Sequence, residues 1–169
     1  MRTPADFAPL YERYVEPVYR YCLRRVSDPD LAADLTASIF TRALEALAKF
    51  RPDQGGSFRS WLFVIAHNMV VDAYRRQRPT GEMPPDQPDH GIGPEEWAVH
   101  RDEFERLVTV LDQLPHAQRQ IIDLRLAGLT TAEIADVLGL SRAAVKSAQT
   151  RAYSRLRDLL TVPTDGVPS

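Results

Sequence analysis

Five cations, Arg142, Lys146, Arg151, Arg155 and Arg157, lie between positions 142 and 157 with no acid among them, a local net charge of +5. Between them stand the small hydroxyl side chains of Ser147, Thr150 and Ser154. Guanidinium, ammonium and hydroxyl groups on one surface suit a phosphate backbone as counter-charge and the base edges of a DNA major groove as hydrogen-bond partners. To share a surface they must sit on a helix. At about 100° per residue, Val145, Ala148, Ala152, Leu156 and Leu159 fall on one side, which should be buried. Ala143, Ser147, Thr150 and Ser154 fall opposite, flanked by Lys146, Arg151 and Arg157. A merely solvated basic face is the plainer explanation, and the preceding residues argue against it.

Thr130 and Glu133 have the spacing of a capping box, so a short helix starts near Thr131 with Ile134, Ala135 and Leu138 as its apolar face. Gly139 suits the left-handed residue that ends such a helix, Leu140 is expected to plug the corner, and Ser141 is an N-cap for the next helix. Two helices joined by about three residues make a helix-turn-helix, whose second helix enters the major groove. Ala135 falls where the two helices cross, with Val145 and Ala148 facing back toward it.

The rest of the chain must carry and complement this unit. Its 169 residues allow one medium domain or two small ones, and a net charge of -2 means that any affinity for nucleic acid comes from uneven distribution. From Pro79 to Asp112 the net charge is -7, and Pro79 to Pro94 holds five prolines and three glycines, so this stretch should be a flexible linker. The single Cys22 excludes an internal disulfide framework, and MRTPADFAPLYERY has no apolar signal core. The longest apolar run, Trp61 to Ala66, is far too short to span a bilayer, so a cytoplasmic location without membrane insertion is expected.

Phe7, Leu10, Tyr11, Tyr14, Val18, Tyr21 and Cys22 recur at helical spacing and predict an aromatic-rich first helix, with Cys22 as packing. Asp28 and Pro29 are a helix start, and a second helix should run to about Lys49 with Leu31, Leu35, Ile39, Ala43 and Leu47 as its stripe, widened by Phe40 and Leu44. Phe58 to Arg76 forms a third helix with an apolar front half and a polar back half marked by Asn68, Asp72, Arg75 and Arg76. Beyond the linker, Trp97, Phe104, Leu107, Val108 and Leu111 mark a fourth helix. Gln118 to Leu126 makes a fifth, with Ile121, Ile122, Leu124 and Leu126 inside. The expected fold is all-α, two small helical domains over 1–78 and 95–160 joined by the 79–94 linker. The C-terminal domain is the helix-turn-helix, and 161–169 is a flexible tail with no sensor domain.

FRSWLFVIAHNMVVDAYRR resembles the promoter-opening helix of the extracytoplasmic-function (ECF) sigma factors of bacterial RNA polymerase. DPDLAADLTASIFTRALEALAKF is similar to their polymerase-binding segment, and LDQLPHAQRQIIDLRLAGLTTAEIADVLGLSRAAVKSAQTRA to their -35-reading domain. The resemblance implies core RNA polymerase and promoter DNA as partners, admits an anti-sigma factor as another, and requires no cofactor or metal. It places -10 contacts at Phe50, Arg51, Ser57, Trp61, His67, Asn68, Arg75 and Arg76, -35 contacts at Thr131, Arg142, Lys146, Ser147, Thr150 and Arg151, and polymerase binding at Asp34, Leu35 and Phe40. Aromatic walls, amide groups and cations are what the trapping of unstacked bases requires. Several positions depart from the family pattern: Ala37 stands for a frequent glutamine, Ser38 for a frequent glutamate and Ala148 for a frequent arginine. His67 likewise stands where arginine is common.

A free-standing helix-turn-helix regulator is the alternative. Its first domain should bind a ligand, accept phosphate or dimerise, none of which the Asn68 to Arg76 stretch fits. An enzyme would need converging catalytic groups, whereas the four His are scattered and the sequence has no Gly-rich phosphate loop or metal-ligand cluster.

Overall fold

The computed structural model describes residues 4–51, 56–77 and 95–161. Its elements among these residues are α1 (Pro4–Val26), α2 (Pro29–Ala46) continued by a 3-10 turn (Leu47–Lys49), α3 (Phe58–Gln77), α4 (Glu95–Asp112), α5 (His116–Leu126), α6 (Thr131–Leu138) and α7 (Arg142–Thr161). The anticipated linker, 79–94, lies outside the described residues.

The helix boundaries follow from their caps. Ser27 takes a left-handed conformation, φ 54°, to turn the chain out of α1, and its N–H donates to Leu23 O at 2.8 Å. Asp28 then caps α2, accepting from the amides of Asp30 and Leu31, with Pro29 in the first turn where its missing N–H costs nothing. The capping box at α6 forms as its spacing predicts: Thr130 accepts from the Glu133 amide and Glu133 from the Thr130 amide. Gly139 closes α6 at φ 67°, and Ser141 Oγ accepts from the Ala144 amide at 3.0 Å to start α7. Leu140 does not plug this corner. Its amide donates to Ala135 O at 3.0 Å, and its side chain is 43% exposed.

In the N-terminal half, α1 packs on α2 and α3, and α2 packs on α3. Val18, Tyr21 and Cys22 meet Ile39, Phe40 and Ala43 of α2 and Leu62, Phe63 and Ala66 of α3 in one core. Cys22 is packing, as its stripe predicts, and burial pushes its thiol up to about 12. In the C-terminal half, α5 packs on α6 and α7, while α4 lies along α7. Val145, Ala148 and Ala152 are the buried side of α7.

The two halves are not separate bodies. α6 packs against α3 and α5 against α1, and the main apolar cluster runs without interruption from Phe7 through Val70 to Ile121, Ile134 and Val145. A smaller cluster, Leu111, Leu114, Ile122 and Ala152, lies under α4. Two apolar residues expected inside are not: Leu44 is 41% and Leu126 49% exposed. Each lies on the predicted stripe of its helix, but no neighbouring element covers that edge.

Candidate nucleic-acid interface

Phe50 follows the 3-10 turn, and α3 begins eight residues later, so the end of α2 and the start of α3 form the two lips of a cleft of about 370 Å³. Phe50 and Trp61 are its aromatic floor, with ring centroids 5.1 Å apart, and Phe58 packs against both at 5.8 and 5.5 Å. Lys49, Arg51, Gly56, Ser60 and Val64 complete the wall together with Asp136, which comes from α6. Arg51 Nη1 donates to Ala48 O at 2.8 Å and to Phe50 O at 3.2 Å, which caps the 3-10 turn and holds the guanidinium at the rim. Phe50 is almost fully buried whereas Trp61 is half-buried, so Trp61 offers more ring surface to an incoming base.

Ser57 begins α3 by accepting the Ser60 amide at 3.0 Å. Its hydroxyl donates to Glu133 Oε2 at 2.6 Å. Asn68, Arg75 and Arg76 are exposed along the back half of α3, and Asn68 stands two turns, ~10 Å, beyond Trp61. His67 differs from this line. It is turned inward, with Tyr21 Oη 3.2 Å from its Nδ1, and burial, followed by the positive charges of Arg25 and His116, lowers its pKa. A neutral, inward imidazole contributes no cation to a DNA strand.

On the helix-turn-helix, Arg142, Lys146, Ser147, Thr150 and Arg151 are all exposed on α7. Thr131 is held by a brace that the sequence reading missed. Arg125 donates through Nη2 to Thr131 Oγ1 at 2.7 Å and Gln149 Oε1 at 2.6 Å, and through Nη1 to Leu129 O at 3.1 Å. One guanidinium thus ties α5, α6 and α7 together. Of the polymerase-binding set, Asp34 is exposed while Leu35 and Phe40 are buried, Phe40 against the rings of Phe7 and Tyr11.

Two charge clusters join the halves, and neither was anticipated. Asp123 is fully buried and accepts from Arg24 Nε at 3.3 Å and Arg119 Nε at 2.9 Å, with Arg25 Nη1 3.5 Å away. Arg24 Nη2 also donates to Asp123 O at 2.9 Å, and Arg119 Nη2 to Arg24 O at 2.7 Å. In the other cluster Arg59 grips both oxygens of Glu133, with Nη2 to Oε1 at 2.6 Å and Nε to Oε2 at 3.0 Å. Burial alone would raise the Glu133 pKa, but hydrogen bonds from Arg59, Ser57 and the Thr130 amide outweigh it and hold the carboxyl at about 2. An acid inside the apolar run Ile121 to Leu124 was the available clue to Asp123.

Between α4, α5 and α7 lies an apolar groove of about 370 Å³, lined by Leu107, Val110, Leu126, Tyr153, Leu156 and Leu160 among others. Among the described residues no group of His, Cys, Asp or Glu could hold a metal ion, and no helix is long and apolar enough to cross a membrane.

An aromatic cleft rimmed by cations, paired with a cationic helix-turn-helix, defines a two-part, all-helical DNA-binding protein. A family model of Sigma-70 region 2 matches residues 10–80, and one of Sigma-70, region 4 matches residues 104–156. The ECF RNA polymerase sigma factor BldN of Streptomyces coelicolor is 36% identical over 160 residues, covering 91% of this chain and 60% of that protein. ShbA of Streptomyces griseus, another ECF RNA polymerase sigma factor, is 35% identical over 161 residues, covering 86% of this chain and 83% of that protein. Among solved structures, CnrH in complex with the cytosolic domain of CnrY superposes with a TM-score of 0.74 at 29% identity, covering 95% of this chain and 91% of that one. The chain belongs to the ECF family of RNA polymerase sigma factors.

Proposed function

We propose that the chain is a dissociable, non-catalytic specificity subunit of a cytoplasmic RNA polymerase. In this reading α7 reads the -35 element through Lys146, Ser147, Thr150 and Arg151, with Thr131 and Arg142 at its margins. The Phe50–Trp61 cleft, Arg51 and Ser57 trap an unstacked -10 base, and Asn68, Arg75 and Arg76 follow the opened strand. The exposed face of α2 around Asp34 meets core polymerase, and Leu35 and Phe40 act there by fixing the helix rather than by contact. An anti-sigma factor is a further candidate partner; the CnrH relative was solved in complex with a second protein, the cytosolic domain of CnrY. The single observation that carries this reading is that one chain holds both an exposed cationic helix in a helix-turn-helix and an aromatic cleft with the size and cations to suit single-stranded bases. A free-standing regulator has no use for the second. The apolar groove between α4, α5 and α7 supports the same reading, because a subunit of a larger assembly needs protein contacts that a DNA-binding unit alone does not.

Transcription with core polymerase on a promoter library, with gel-shift and permanganate footprints run with and without polymerase, tests this. Selective binding and strand opening are expected only in the complex, and Asn68→Ala should impair opening more than closed-complex binding. Tight sequence-specific duplex binding by the chain alone, with no gain from polymerase, would favour the regulator.

A further inference from the structure

Residues of α1, α3, α4 and α5 line a cavity of about 190 Å³, among them Arg25, Tyr74, Asp112, His116 and Arg119. Arg25 is the side chain that the rest of the fold leaves incomplete. It is 9% exposed, its guanidinium lies 5.8 Å over the Tyr74 ring, and its buried Nε has no hydrogen-bond acceptor among the described residues. Its ion pair there, Nη1 to Asp123 Oδ2 at 3.5 Å, is longer than the bonds that Asp123 accepts from Arg24 and Arg119. A buried charged donor without an acceptor is costly, and a ligand that supplies one removes the cost.

The charges around Arg25 do not balance. Arg24, Arg25 and Arg119 stand against Asp112 and Asp123, and Asp112, 65% exposed, is weakened by solvent screening. Burial and then the charge of Arg25 lower the pKa of both His67 and His116, as expected in a positive field. The start of α5 adds to that field. Pro115 is its N-cap without any side-chain cap, and His116, its first residue, lines the cavity.

We propose that this cavity is a binding site for a phosphate-class oxyanion, held by Arg25 with His116 and the start of α5. An oxyanion supplies what the fold lacks there: acceptor oxygens for Nε–H and negative charge for the cationic surplus. A metal cation would add to that surplus, and a neutral ligand would leave it. The space equals that of roughly six waters, enough for one tetrahedral anion with part of its hydration. It falls below the roughly 300–1,000 Å³ of sites that enclose drug-sized ligands. The ligand is therefore a free oxyanion or a single phosphate group reaching in from a larger molecule. Because four helices contribute to the site, a bound anion stabilises the folded chain by mass action.

The test uses the full chain alone. Inorganic phosphate is titrated in place of chloride at fixed ionic strength. The melting temperature should rise saturably, by about 3–6 °C at tenfold over the dissociation constant. The Arg25 Nε–H signal in a proton–nitrogen correlation spectrum, assigned by its loss in Arg25→Lys, should move along the same curve. Arg25→Gln should abolish the saturable rise, whereas Arg20→Ala, at an exposed arginine of the same helix, should keep it. If Arg25→Gln does not fold, the wild-type signal still decides. Adenosine triphosphate, titrated beside phosphate, distinguishes a free anion from a phosphate carried on a nucleotide, and movement by either upholds the site. An Arg25 signal moved by neither, or a saturable rise that Arg25→Gln keeps in full, would overturn the proposal.

Discussion

Lys146 and Arg151 stand in solvent on α7, with nothing of the fold resting on their heads, so Ala at either position should leave thermal stability unchanged. If the side chain meets a base edge, initiation should fall by about 1–3 kcal/mol at the cognate promoter alone. If it meets phosphate, binding should weaken on all sequences and the salt slope should drop by about 1. Competition between promoter and random duplex at several salt concentrations separates the two. Glu133 titrates against the fold. Its ordinary value of 4.5 drops to about 2 in the folded chain, so its contribution is complete above pH 4.5 and disappears as the pH falls toward 2. Denaturation midpoints should decline through that window, and Glu133→Gln should flatten the decline. Helical periodicity put Asn68 and Lys146 on exposed faces, and both stand in solvent. The contact of His67 with Tyr21, a hydroxyl 46 positions away, has no local signal in the sequence.

The helices were legible because their ends are written locally. Asp28 with Pro29, Thr130 with Glu133 and the left-handed Gly139 each decide a boundary within a few residues. Periodicity told which side of each helix is apolar but not whether another element lies over it, which is why Leu44 and Leu126 were placed inside and stand outside. The brace at Arg125 eluded the reading for a related reason: it joins three helices through Gln149, Thr131 and Leu129 at separations of 4 to 24 residues. Arg125→Ala should cost about 1–3 kcal/mol of stability by leaving Gln149 and Leu129 O without their donor. It should also weaken -35 binding, although Arg125 is assigned no DNA contact. Scanning calorimetry and a -35 duplex titration read the two effects separately, and a drop in affinity without a drop in melting temperature would make Arg125 a contact instead.

At the scale of the molecule, the two-part organisation was visible in the Pro- and Gly-rich break, but the closure was not. Arg24 and Arg119 are 99 and 4 positions from Asp123, and in sequence each is one more charge on a helix. Limited proteolysis within 78–94 should therefore yield two fragments that still co-elute on gel filtration at neutral pH, because α3 with α6 and α1 with α5 share one apolar cluster. Fragments that part at once would show that the seam has no strength of its own. The seam also bears on any partner that takes the two halves apart. When polymerase accepts only the opened chain, the apparent dissociation constant is the intrinsic one divided by the open fraction, and each factor of ten in that fraction is about 1.4 kcal/mol of seam. Two ion clusters between the halves would then scale the affinity of a partner bound elsewhere on the chain.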